Sequence, residues 1–262
     1  MRADELLQAG RLSDALAAAT QAVREAPTDV AARALLFSLL CFEGNLERAR
    51  KQLDVIDNQT TMTEAPTYVN LLLAEEQRRK VFAGLARPKF FGEPPHRIEQ
   101  HLQAIEYLAR NRYAEAHSLL DAAEEARPEF PGTLNDTPFD DMADADDITR
   151  SVLEFHFGPD YYWAPFDQIA HIQVVAPEPL RPQDLLWIPC QVILTDGSPR
   201  RGFTPMLYVN SDQAAEDSLK LGHETRFVDV GNNVFCGVGR KQFVAGDADP
   251  TPLELKEVTF DR

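Results

Sequence analysis

Gly10-Arg11-Leu12-Ser13-Asp14-Ala15-Leu16 is echoed by Gly44-Asn45-Leu46-Glu47-Arg48-Ala49-Arg50, 34 residues further on, and again by Asn111-Arg112-Tyr113-Ala114-Glu115-Ala116-His117. Each copy opens on Gly or Asn, the residues that best tolerate the left-handed backbone that ends a helix. Five positions later comes an alanine (Ala15, Ala49, Ala116), small enough to let two helices approach closely. Twelve positions after that, in the first and third copies, Pro27 and Pro128 stop the second helix. The spacings predict pairs of antiparallel helices, each pair turning at Gly10, Gly44 or Asn111.

A period of 34 residues is that of a tetratricopeptide (TPR) repeat. The array is irregular: the second copy has no matching Pro, and 67 residues separate Gly44 from Asn111. A long stretch from Pro66 to Leu85, read as an amphipathic helix, fills the gap. TPR-like arrays act as scaffolds, and the first helix of each pair lines a concave face suited to a peptide or helix. In the helix before Asn111, Ile98, Ile105 and Leu108 form a stripe with His101 among them, and Phe37 and Cys41 occupy the equivalent helix before Gly44. These six residues are the candidate partner-binding set. The alternative is that the same stripe is core, packed on a neighbouring helix or a second domain.

The remaining sequence has a different character. Residues 1–130 are rich in Ala, Leu, Arg and Glu and carry a net charge of -4; residues 131–262 gather Val, Ile, Phe, Tyr, Trp, Gly and Pro and carry -12. Strands are expected at Val152–Phe157, Ile169–Val175, Cys190–Leu194, Thr204–Tyr208, Arg226–Val230, Val234–Val238, Lys241–Ala245 and Leu253–Phe260, with a short helix near Ala214–Leu221. Thr195-Asp196-Gly197 and Gly231-Asn232-Asn233 read as hairpin turns. The predicted class is α+β: an irregular TPR-like helical domain over 1–130, an acidic linker over 131–148, and a mainly antiparallel β domain over 149–262, its sheet curling toward a barrel. The linker holds six aspartates and no basic residue. Its expected state is solvated, with cation binding the alternative, although it lacks the spacing of a calcium loop.

Composition excludes several functions. The 262 residues carry 26 Lys plus Arg against 42 Asp plus Glu, a charge of -16, which argues against nucleic acid and anionic membrane surfaces as partners. Three scattered cysteines (Cys41, Cys190, Cys236) give neither a disulfide framework nor a metal-type pair. The acidic start is unlike a signal peptide, and no apolar run is long enough to span a membrane. A cytoplasmic location is expected.

Motifs for chemistry are absent. The six histidines show no H-E-x-x-H or H-x-H spacing, so no metal ligands and no cofactor are assigned. Gly237-Val238-Gly239 reads as a tight hairpin rather than a phosphate cradle. Glu154 and His156 share one face of a strand and set an acid beside a base. A hydrolase or metal-dependent enzyme would need them to converge with His171 and Asp160. No catalytic residue is assigned, and the chain is read as a non-enzyme.

Four segments occur in a specific order after the repeats: Val152-Leu153-Glu154-Phe155, Tyr161-Tyr162-Trp163-Ala164-Pro165-Phe166, Asp184-Leu185-Leu186-Trp187-Ile188-Pro189-Cys190 and Pro205-Met206-Leu207-Tyr208. Two of them set a Pro two residues after a Trp, which anchors a strand end in the core and turns the chain. Together they resemble the ImpE family, also called SciE or TagJ, accessory proteins of bacterial type VI secretion systems. The signature residues Tyr162, Trp163, Pro165, Asp184, Leu185, Trp187 and Pro189 are expected to be core. The resemblance implies a non-catalytic adaptor that binds an N-terminal helix of the small subunit of the contractile sheath, with an indirect link to a ClpV-type ATPase. A general TPR scaffold with another partner is the competing reading.

Overall fold

The computed structural model describes residues 2–59, 64–178 and 180–261. The repeat folds as three helix pairs: α1 (Ala3–Gln8) with α2 (Leu12–Glu25), α3 (Val30–Phe42) with α4 (Leu46–Gln59), and, beyond a lone helix α5 (Ala65–Phe82), α6 (His96–Leu108) with α7 (Tyr113–Glu125). The turn residues adopt the left-handed region in all three pairs, with φ of 73° at Gly10, 74° at Gly44 and 57° at Asn111. Ala15, Ala49 and Ala116 are each 0% exposed, so the close helix approach is real. α2 ends just before Pro27, and α7 just before Pro128.

α5 departs from the expected amphipathic helix. Its buried residues, Ala65, Tyr68, Leu71, Leu72, Ala74, Glu75, Arg78 and Val81, do follow helical spacing. Two of them are charged, so the burial is periodic while the hydrophobicity is not.

The second half builds an antiparallel sheet. In chain order the strands are β1 (Gly132–Leu134), β2 (Thr137–Phe139), β3 (Met142–Asp144), β4 (Val152–Phe157), β5 (Asp160–Pro165), β6 (Ile169–Val174), β7 (Trp187–Leu194), β8 (Pro199–Pro205), β9 (Thr225–Gly231), β10 (Val234–Gly239), β11 (Phe243–Ala245) and β12 (Glu257–Phe260), with a one-turn helix α8 (Asp217–Lys220) before β9. Eight strands make one sheet in the order β2-β1-β12-β6-β7-β8-β4-β5; β9–β10 and β3–β11 are separate two-stranded ribbons. The sheet does not close toward a barrel, because its terminal strands β2 and β5 are not paired with each other. The strand expected at Thr204–Tyr208 lies earlier, ending at Pro205, and the one expected at Leu253–Phe260 is confined to its last four residues.

The stretch 131–148 is not a solvated linker. Asn135 and Asp136 both have positive φ, 48° and 69°, and turn β1 into β2. Asp141 pairs with Arg127 and accepts from the Phe130 N–H at 2.9 Å; Asp144 and Asp146 are buried. Gly237-Val238-Gly239 is likewise not a hairpin: it ends β10, and the real turn is Asn232-Asn233, both left-handed, between β9 and β10. A side chain at Gly237 would meet the Tyr208 ring at 2.3 Å, which explains the glycine.

Among the described residues, three apolar clusters organise the interior. One belongs to the sheet, centred on Phe155, Phe166, Ile188 and Phe243. The other two are shared between helices and β structure: α1–α5 close over Leu186, Trp187, Leu207 and Leu221, while α6 and α7 close over Ile148, Val152, Tyr161, Trp163 and Val234. The two halves are therefore joined through common cores.

Candidate functional site

The seam between α5 and the sheet concentrates charge. One turn of α5 presents Glu75 and Arg78 at i and i+3, the spacing that puts both on one face. That face meets β4, whose alternation brings Glu154 and His156 to the same side. Arg78 Nε donates to Glu154 Oε1 at 2.6 Å, and its Nη2 donates to Glu154 Oε2 at 3.1 Å and to the Leu207 carbonyl at 2.9 Å. Lys241, fully buried, donates to Glu154 Oε2 at 2.7 Å and to Asp144 Oδ2 at 2.5 Å. The Tyr161 hydroxyl donates to Glu154 Oε1 at 2.5 Å and accepts from Trp163 Nε1 at 2.6 Å. Thr149 and Tyr208 hydroxyls complete the shell of Asp144, at 2.8 and 3.0 Å.

The electrostatics follow from dehydration opposed by pairing. Burial alone would raise the Glu154 carboxyl, but Arg78 and Lys241 outweigh it and hold the group far below the usual carboxylate range. Burial would lower Lys241, and Asp144 and Glu154 reverse the direction. His156 is different: burial dominates and pushes it down to about 4, although Glu75 lies 3.8 Å away. Its ring nitrogens take no hydrogen bond among the described residues. Burial, then Asp144, raise Asp146 to about 7, against backbone N–H groups of Gly237 and Ile148 that favour its charge. The neighbouring cavity, bordered by Glu75, Arg78, Trp187 and Tyr208, holds only about 40 Å³. Both oxygens of Glu154 are committed to cations, so this carboxylate is not free to act as a base. His171 bonds Thr259 at 3.1 Å and Asp160 pairs with Lys89 at 2.7 Å, so neither converges on Glu154 and His156. No cluster of three or more His, Cys, Asp or Glu among the described residues is arranged to hold a metal.

A second feature is open. Between the C-terminal ends of α5 and α6 and the β9–β10 ribbon runs a cleft of about 560 Å³, walled by Phe82, Ile105, Leu108, Val230, Cys236 and Val238. Of the six candidate partner-binding residues, Ile98, His101, Ile105, Phe37 and Cys41 are buried. Ile98, His101 and Ile105 face inward on α6, and Phe37 packs edge-on against Tyr68 at 5.4 Å. Burial, with Arg97 next, pushes His101 down to about 4, and burial raises the Cys41 thiol well above its usual value. The stripe is core because the β domain fills the face the helices were expected to leave open. Leu108 alone is half-buried, on the rim of the cleft.

Residues 136–259 match the ImpE protein family, and residues 6–74 match a tetratricopeptide repeat family. The type VI secretion system accessory component TagJ of Pseudomonas aeruginosa is 34% identical over 263 aligned positions, covering 100% of this chain and 92% of that protein. The chain belongs to the ImpE family. The crystal structure of a Vibrio parahaemolyticus protein shares the fold with a TM-score of 0.90 at 24% identity, over 99% of this chain and 97% of that one.

The ImpE signature residues sit at the joints. Trp163 and Trp187 are buried, one in each cluster shared between helices and sheet. Pro165 ends β5 as expected, whereas Pro189 lies inside β7. Asp184 is buried and accepts from the Arg181 backbone N–H at 2.9 Å and its Nε at 3.0 Å. Tyr162 stacks on Phe91 with ring centroids 4.4 Å apart, and Leu185 is half-buried against the helical cluster. Sequence reasoning missed Glu75, Arg78, Asp144, Tyr161 and Lys241. The one available signal was the interruption of the apolar stripe of α5 by Glu75 and Arg78 at core positions.

Proposed function

We propose that this ImpE chain is a non-catalytic accessory component of a type VI secretion system, acting in the cytoplasm by holding a protein partner. The observation that carries the reading is the full-length similarity to TagJ, an accessory component of such a system. The TPR-like helices agree with it. The partner proposed is the amphipathic helix at the N-terminus of the small subunit of the contractile sheath, with any ClpV-type ATPase engaged only indirectly. The cleft beside Leu108 has the apolar walls that the apolar face of such a helix requires. The acidic second half favours a helix with basic flanks.

The test is a titration of the purified protein against a fluorescent peptide of that sheath helix, followed by anisotropy. Saturable binding at micromolar Kd, about -8 kcal/mol, is expected. Leu108→Glu should weaken it at least about tenfold with an unchanged circular dichroism spectrum. Absence of binding at hundreds of micromolar would overturn the partner and favour a TPR scaffold with a different ligand.

A further inference from the structure

Both terminal strands of the main sheet are protected against pairing with another chain. The outer edge of β5 is occupied by Lys89, whose N–H donates to the Tyr161 carbonyl at 2.9 Å and whose carbonyl accepts from the Trp163 N–H at 3.0 Å. The other end, β2, is three residues long and carries Pro138. Such devices keep edges from pairing with other chains.

The β9–β10 ribbon has no equivalent on one side. The outward N–H groups of β10 are all taken: Phe235 donates to Asp147 Oδ2 at 2.7 Å, Gly237 to Asp146 Oδ2 at 2.7 Å and Gly239 to Ser211 Oγ at 2.8 Å. Phe235 pairs with Asp229, and Gly237 with Phe227. In an antiparallel pair, opposed residues direct their backbone groups the same way, toward or away from each other. The backbone groups of Phe227 and Asp229 therefore point away from β10, on the free side of β9, and among the described residues no other strand pairs there. Large apolar side chains of β9 flank that edge half-exposed: Phe227, Val228 and Val230 are 37–41% accessible. No proline or lysine interrupts the seven residues.

We propose that the free edge of β9 is a docking strand, which adds to the ribbon an extended segment of a partner protein alternating apolar with basic residues. The charge pattern selects this occupant. Arg226 is taken by Glu216 at 3.1 Å and Glu224 at 4.0 Å, while Asp229, whose Oδ1 accepts from the Gly231 N–H at 2.8 Å, pairs with no cation among the described residues and is the acid a partner cation would meet. A second copy is a poor match. Paired about Val228, it would set Phe227 against Asp229 and Arg226 against Val230, between chains that each carry -16. The edge adjoins the cleft proposed to hold a helix and shares Val230 with it, but it binds through the backbone of Phe227 and Asp229, which do not line the cleft, so either reading can fail alone.

The experiment uses a fluorescein-labelled, end-blocked peptide of alternating Val and Lys and its counterparts N-methylated along one edge or the other. The full-length protein should bind the unmodified peptide saturably, and one N-methylated form should bind at least about tenfold more weakly. Amide exchange at Phe227 and Asp229 should slow in the complex. Phe227→Pro removes an outward N–H, along with the edge contact of its ring on Tyr208 at 6.0 Å, and should abolish binding. If that variant unfolds, Asp229→Lys provides the second reading, an expected loss of affinity with an unchanged circular dichroism spectrum. Equal binding of all three peptides, or unchanged exchange at the two amides, would overturn strand pairing in favour of charge attraction alone. A concentration-dependent dimer dissolved by the β9 variants would overturn the proposed occupant in favour of a second copy.

Discussion

Two of the contacts between the helical and β halves of the molecule have opposite character. Along α5 the contact is closed and ionic: Arg78, Lys241, Glu154 and Asp144 are buried together with their hydrogen-bonding capacity largely met. Between α6 and the β9–β10 ribbon it is open and apolar, with Leu108 and Val230 at the surface of a cleft. Burying charge is costly unless geometry is right, so a saturated ionic seam accepts one docking geometry and rejects slipped ones. An apolar cleft makes no such demand and can take a partner's apolar face. The first seam sets the geometry, and the second is the one proposed to bind.

The strongest way to break it is to empty the seam of its central anion. Glu154→Leu leaves Arg78 and Lys241 buried without their shared partner, and should cost about 3–5 kcal/mol in urea unfolding. A loss below about 1 kcal/mol, the range of an exposed pair, would show that the network is not what joins the halves. A second way concerns the proton. His156 has a folded-state pKa of about 4 against 6.5 for the free side chain, so the unfolded chain binds the proton first as pH falls. Its stabilising contribution is complete above pH 6.5 and is lost progressively toward 4. Between about pH 7.5 and about pH 5, His156→Leu should therefore gain about 2 kcal/mol relative to the parent chain. A pH-independent difference would mean that the seam admits the imidazolium. The smallest effect sharpens the other side of the comparison: Leu108→Glu on the cleft rim should change stability by less than about 1 kcal/mol. Ile105→Asp, one turn earlier and buried, should unfold the domain.

The repeat was legible because its determinants are local. Gly10, Gly44 and Asn111 end helices through their own backbone freedom, and Ala15, Ala49 and Ala116 are small wherever they are placed. β4 was readable to the residue, and Asn232-Asn233 announced the ribbon turn. The same kind of signal, Asn135-Asp136, marked the β1–β2 turn, but the surrounding aspartates masked it as a charge run. The candidate site was less legible. An apolar stripe on α6 looks the same whether it faces a partner or the rest of the chain, and here Ile98 and Ile105 pack in one cluster with residues of the β half.

By itself the sequence determined the helix pairs, the antiparallel β class and membership of the ImpE family, since turn residues, periodicity and ordered motifs all act over short distances. Only the tertiary structure decided which charges are inside. Arg78 and Glu154 are 76 residues apart and Lys241 and Glu154 87, and in isolation each is indistinguishable from a solvated surface charge. Their burial becomes tolerable only when the fold brings cation and anion within hydrogen-bonding distance, and no local pattern records that meeting.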